Sequence, residues 1–192
     1  MRKKNIKWLV LLLLPFFTSC GYNKMVGLSE AVDAQWAQVE NVYQRRADLI
    51  PNLVNTVKGY AAHESETLEA VIEARSKATS VNINAENLNE QSFAQFQSAQ
   101  NGLTSALSKL MVVMEAYPDL KANQNFLELQ AQLEGTENRI AVERQKYNEA
   151  VRVYNTKIKS FPSVVYAGWF GFEKKPFFQA DAGAKNAPKV EF

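Results

Sequence analysis

One Cys and one His in 192 residues leave little room for side-chain chemistry. A single Cys permits no intramolecular disulfide, CxxC pair or Cys₄ metal site, and a single His permits no multi-histidine metal centre. Nucleophilic catalysis of the Cys–His or Ser–His–Asp kind would have to run through His63. His63 and Glu64 look like half of a metal or acid–base site, with Glu137 as a third member. The di-metal pattern of helical bundles is Glu-x-x-His on two helices plus two further Glu. Here the residue three before His63 is Tyr60 and no second His exists. A catalytic or metal-binding bundle centred on His63, Glu64 and Glu137 is therefore the alternative reading. His63 is expected as an interior or groove-lining residue near the height of Trp36. No catalytic residue, cofactor or metal ligand is assigned.

The lone Cys is placed for a different reaction. Arg2, Lys3, Lys4 and Lys7 precede an apolar run from Trp8 to Phe17, and Thr18-Ser19-Cys20-Gly21 follows. That is the three-part layout of a secretory signal. A spanning helix needs roughly 20 apolar residues, and this run is about half as long with Pro15 inside it. Phe17-Thr18-Ser19-Cys20 resembles the lipobox of bacterial lipoproteins, with Phe17 where Leu is usual. The resemblance implies cleavage before Cys20, a diacylglycerol on its sulfur and a further N-acyl chain, together a stable anchor. Four of the 22 basic residues lie before Cys20, leaving 18 against 20 acids in the body. No basic stripe remains there, which sets nucleic acid aside as a partner.

Beyond Cys20, apolar residues recur at steps of three and four and no stretch alternates at strand period, so the fold class is all-α. Leu28, Val32, Trp36, Val39 and Tyr43 form a first stripe. Asp48 followed by Pro51 reads as an N-cap and first turn, which places a hairpin at Arg46 to Leu49. The second stripe is Ile50, Leu53, Val57, Tyr60 or Ala61, Leu68, and Val71 or Ile72. The alternative is a long first helix running through Pro51 and turning near Ala61 to Glu64. An Asn-rich connection, Val81 to Asn87, leads to the third stripe: Phe93, Phe96, Gln100, Leu103, Leu107, Leu110 and Met114, at coiled-coil spacing. The fourth begins near Asn123 and carries Phe126, Leu129, Leu133, Ile140, Tyr147, Val151, Tyr154 and Ile158. Segments of matched length predict an elongated, antiparallel up-and-down four-helix bundle. Gly102 and Gly135 are expected at similar heights, in close backbone approach.

The strings Gln44-Arg45-Arg46-Ala47-Asp48-Leu49-Ile50-Pro51-Asn52-Leu53-Val54, Val57-Lys58-Gly59-Tyr60-Ala61-Ala62-His63-Glu64, Glu115-Ala116-Tyr117-Pro118-Asp119-Leu120-Lys121-Ala122-Asn123 and Glu137-Asn138-Arg139-Ile140-Ala141 resemble the LemA family. So does Tyr147-Asn148-Glu149-Ala150-Val151 through Tyr154-Asn155, and the match extends from Tyr22 to Phe178. The resemblance implies a membrane-anchored bacterial bundle of four long helices facing the extracytoplasmic side, without implying an enzymatic activity. Many relatives hold an N-terminal transmembrane helix where this chain has a short apolar run and Cys20.

The resulting expectation is a non-catalytic envelope lipoprotein that acts as scaffold or interaction module for another envelope protein. An element binding lipid or peptidoglycan is a further alternative. The boundaries are a signal peptide at 1–19, the bundle at 20–161, an aromatic membrane-proximal tail at 162–179 and a disordered end at 180–192. Arg45 and Arg46 are expected in the last turn of the first helix, beside Asp48. With Asn52 and Tyr117 they form the candidate docking surface, at the end away from the membrane. In the tail, Trp169, Phe170, Phe172, Lys174, Lys175, Phe177 and Phe178 are the candidate membrane interface, since aromatic rings flanked by Lys suit the headgroup level. Gly21 after Cys20 introduces no acid, which resembles lipoproteins passed on to an outer membrane.

Overall fold

The computed structural model describes residues 2–81, 83 and 88–179, with side chains from Gly21 onward. The Cys20 side chain, most of the Asn-rich connection and the segment from Ala180 to Phe192 lie outside the described residues. Among those described, every regular element is helical: α1 (Arg2–Lys58), α2 (Ser65–Ser80), α3 (Glu90–Met114), the short α4 (Pro118–Lys121), α5 (Gln124–Lys159), α6 (Ser163–Tyr166) and a 3-10 turn, Gly168–Phe170. None of these helices is long and apolar enough to cross a membrane.

The hairpin expected at Arg46 to Leu49 is absent. α1 continues through Asp48 and Pro51 for 57 residues and turns only at 59–64, which leaves α2 with 16. Asp48 is therefore no N-cap; it accepts a hydrogen bond from Gln44 within the helix (2.8 Å). Proline inside a helix removes one N–H, here the one that would satisfy the Ala47 carbonyl. Arg75 of α2 supplies the missing donor, its Nε lying 2.7 Å from the Ala47 oxygen. The apolar stripe also crosses Pro51 in phase: Trp36, Val39, Tyr43, Ala47, Ile50, Leu53 and Val57 are all buried.

α3 and α5 start where Asn side chains satisfy free helix N–H groups. Asn89 Oδ1 accepts from the Gln91 and Ser92 amides (3.0 and 2.9 Å), and Ser92 Oγ accepts from the Asn89 amide to close a capping box. Asn123 Oδ1 accepts from the Phe126 amide at 3.0 Å. The third stripe is buried in full, from Phe93 to Met114. Gly102 and Gly135 do not meet a neighbour: a Cβ added at either would find no atom within 4 Å.

α1 packs chiefly on α5, and α2 packs on α3 and α1. Because α2 is short, it lines only the half of the molecule beyond Arg46. In the other half its place is taken by the end of the connection and by the C-terminal strap, residues 172–179. The strap runs back along α5: Tyr154 Oη donates to the Glu173 carbonyl (2.9 Å), Asn155 Nδ2 to Lys175 (2.9 Å), Tyr147 Oη to Pro176 (3.2 Å) and Asn148 Nδ2 to Phe178 (3.1 Å). Asn155 and Asn148 each also accept the strap's amide, from Lys175 and Phe178. The seven-residue recurrence of Tyr and Asn in α5 is thus a docking ladder for an extended chain.

Candidate functional site

Three polar or unusual places emerge along the rod: a buried arginine layer at mid-height, the turns at the far end, and an apolar base beside the N-terminal segment.

Arg46 is 1% exposed. Its Nη1 bonds Glu137 Oε1 (2.8 Å) and Thr104 Oγ1 (2.9 Å), and its Nη2 bonds Gln100 Oε1 (2.6 Å) and, at 3.3 Å, the Gln100 carbonyl. Gln100 passes the connection on, its Nε2 donating to the Ala78 carbonyl of α2 (3.3 Å). The guanidinium also lies 5.0 Å from the Tyr43 ring centre, a cation–π distance. One residue thereby ties α1, α3 and α5 together at a fixed register. A buried charge demands such partners, because desolvation without them costs several kcal/mol. Arg46 Nε finds no partner among the described residues.

The far end is formed by the α1–α2 turn and the turn around α4. Tyr117 Oη donates to Glu64 Oε1 (2.8 Å), and Asn123 Nδ2 donates to Tyr60 Oη (2.8 Å). The hydrogen bond to the Glu64 carboxylate raises the Tyr117 hydroxyl above its ordinary pKa. His63 is exposed in this turn, neither buried nor level with Trp36. Glu137 is committed to Arg46, which lies about 18 Å along α1 from Lys58 at 1.5 Å per residue. His63, Glu64 and Glu137 are therefore not brought together, and no group of three or more His, Cys, Asp or Glu among the described residues is arranged to hold a metal ion.

The proposed docking set divides. Arg45, Asp48 and Asn52 are exposed on one side of α1, Tyr117 sits at the far end, and Arg46 is interior. Arg46 is no surface group, because α1 continues past it and turns it onto α3 and α5.

The aromatic set divides as well. Phe178 is 6% exposed and belongs to the core, its ring centre 4.6 Å from Phe93, 5.4 Å from Tyr147 and 6.2 Å from Trp36. Arg144 lies over its ring at 4.8 Å. Phe172 is half-buried, and Lys175 pairs with Asp33 of α1. Lys174 and Phe177 are exposed. Trp169 and Phe170 remain open to solvent at 84% and 56%, and Phe161, Val164 and Val165 join them at 85%, 52% and 56%. Sequence reasoning missed those three; their position flanking the Pro162 corner was the signal available. Tyr147, by contrast, sits deep in the aromatic core, and burial pushes its hydroxyl far above the ordinary range.

Among the described residues, these features define a rod whose regular elements are all helical and whose buried Arg46 ties α1, α3 and α5 together, with an apolar base at one end and a polar turn at the other. The LemA family model matches residues 35–192, and the chain belongs to the LemA family. It is 30% identical over 176 residues to magnetosome protein MamQ 2 of Paramagnetospirillum magneticum, covering 82% of this chain and 64% of that protein. Magnetosome protein MamQ of Magnetospirillum gryphiswaldense is 28% identical over 189 residues, with 88% and 69% covered. Protein LemA of Metamycoplasma hominis is 25% identical over 123 residues, with 64% and 52% covered. The chain thus spans a little under two thirds of the length of the Paramagnetospirillum relative.

Proposed function

We propose that this LemA-family protein is a membrane-anchored, non-catalytic scaffold of the bacterial envelope, acylated at Cys20, whose elongated four-helix bundle holds a docking surface at a set distance from the membrane. The observation that carries the reading is the way its polar chemistry is spent. Arg46, Gln100, Glu137, Tyr147, Asn148, Tyr154 and Asn155 all bond within the fold. From Gly21 to Lys58, α1 alone spans about 55 Å at 1.5 Å per residue. Relatives named as magnetosome proteins, rather than as enzymes, support the non-catalytic reading.

The docking surface is revised to the exposed Arg45, Asp48 and Asn52 side of α1 together with the far end around Tyr60, His63 and Tyr117. The partner is an envelope protein, and an outer-membrane location follows if the host has one. Cross-linking in intact cells tests this, comparing wild type with Arg45→Glu and with Tyr60→Ala, each shown to fold. Loss of one co-purifying protein in either variant supports the scaffold. Unchanged partners in both would overturn this docking surface, and stoichiometric metal in the purified protein would revive a metal-binding reading.

A further inference from the structure

The base of the rod presents apolar surface that the fold leaves uncovered. Phe161, Val164, Val165, Trp169 and Phe170 lie within ten residues of one another and are all more than half exposed. They are held there by a fixed unit. Ser163, Tyr166 and Ala167, at helical spacing, face inward and are buried. The Ala167 carbonyl accepts from both the Phe170 and Phe172 amides (3.2 and 3.0 Å), and Gly171 takes the left-handed conformation (φ 75°) that turns the chain into the strap. One face of this unit is spent on the bundle, and its other face is apolar.

Where the unit sits decides what covers it. Tyr22 of α1 touches Phe170 and Phe172 edge-on, with ring centres 5.0 and 5.6 Å apart. A Cβ on Gly21 would fall 2.0 Å from Tyr166 Oη, so the backbone next to Cys20 lies directly against this unit. The apolar plate is therefore level with the attachment point of any anchor borne by Cys20 or by the Trp8 to Phe17 run. Lys24, Lys159 and Lys174 are exposed within a turn or so of it, with Glu173 the acid beside them. An aromatic and branched-aliphatic surface fringed by Lys is complementary to an anionic bilayer interface.

We propose that Phe161, Val164, Val165, Trp169 and Phe170 form a second membrane contact that seats the base of the rod in the headgroup region of the bilayer and holds the rod upright on its anchor. This rests on the anchored-scaffold reading. A lipid chain alone leaves a rod free to tilt, whereas a rigid plate fixed to α1, α5 and the strap sets its angle.

The test uses the full chain in vesicles of phosphatidylcholine and phosphatidylglycerol, with and without brominated acyl chains. Trp36 and Trp169 are the fluorophores of a chain cleaved before Cys20, Trp8→Phe removes the third from any uncleaved chain, and Trp36, at 1% exposed, is shielded from both quenchers. Insertion to the acyl boundary predicts about twofold or greater quenching of Trp169 by brominated lipid and protection from aqueous iodide. Trp169→Phe should abolish the response, and Phe161→Ser with Val165→Ser should restore iodide access while the protein still floats with the vesicles. Flotation with Trp169 open to iodide would overturn the plate and leave the anchor standing. Protection from iodide without lipid quenching would overturn it in favour of a second protein copy on that face. Failure to float would overturn both readings.

Discussion

The half of the rod that begins at Gly21 and the far half are packed by different means. The core of the Gly21 half is aromatic, with Trp36 at its centre against Phe93, Phe96, Tyr147 and Phe178, at ring-centre distances from 5.2 to 6.2 Å. The far core is almost wholly aliphatic: Ile50, Leu53, Val57, Leu68, Val71, Leu103, Leu107, Leu110 and Leu133. The Arg46 layer falls between them on every helix it touches. On α1 it separates Tyr43 from Ile50, on α3 Phe96 from Leu103, and on α5 Leu133 from Ile140. The difference follows from α2. Where α2 is present, branched side chains of α1, α2, α3 and α5 form one buried cluster. Where it ends, large rings and an extended strap fill the wider gap, since packing leaves no void unfilled at low cost.

If the two halves are distinct packing units, the largest effect comes from removing the centre of one. Trp36→Ala deletes a buried indole whose Nε1 also donates to the Ile83 carbonyl (3.0 Å), and should cost about 3–5 kcal/mol. Chemical denaturation measures the loss. Native-state hydrogen exchange then distinguishes local from global damage: faster exchange in the turns of α1 before Arg46, with residues 103–114 still protected, sharpens the comparison. Equal loss in both halves would mean a single cooperative core.

Next in size is the layer between them. Arg46→Met removes the tie while keeping an apolar side chain of similar length. Breaking a buried pair by removing one partner costs about 3–5 kcal/mol, and here the value should fall nearer 2–3 because Glu137 is 42% exposed and can turn to water. Adding Gln100→Leu should recover part of that loss, since Gln100 would no longer be left with an unmet acceptor. A double variant less stable than Arg46→Met would show that the layer does more than set register.

A smaller effect tests the one place where α2 repairs α1. Arg75→Met should cost about 1 kcal/mol or somewhat more by leaving the Ala47 carbonyl without a donor. In a Pro51→Ala background the helix regains its own N–H, and the same substitution should cost measurably less. A double-mutant cycle by urea denaturation reads the coupling. A coupling near zero would separate the Arg75 contact from the missing proline donor.

Pro51 also marks where the sequence was hardest to read. α3 was legible because its stripe holds strict three–four spacing, and α5 because its stripe keeps to steps of three, four and seven from a start near Asn123. The α1 stripe is equally regular, yet it passes through Arg46, and a guanidinium at a core position interrupts the apolar count. Asp48 and Pro51 then imitate a helix start. The donor that keeps α1 continuous comes from Arg75, 28 residues away, which no local pattern reveals. At the candidate sites the limit was similar. Trp169 and Phe178 are both aromatic residues of one tail, and their opposite fates depend on Tyr147, Asn148 and Arg144 binding the strap.

The smallest effects separate the middle of the molecule from its base through their glycines. At the height of the Arg46 layer, Gly102 is exposed in mid-helix with open space around its Cβ direction, so Gly102→Ala should gain about 0.5–1 kcal/mol from helix propensity. At the base, Gly21 is also helical, but its Cβ direction points at Tyr166 Oη, with Cζ 3.2 Å away. Propensity would favour Ala there equally, whereas Tyr166 is buried and has nowhere easy to go. Gly21→Ala should therefore lower stability, by about 1 kcal/mol as displaced packing outweighs the helix gain. Thermal unfolding of both variants checks the sign. A stabilising Gly21→Ala would mean that Tyr166 yields and that its contact with Gly21 does not limit the packing of the base.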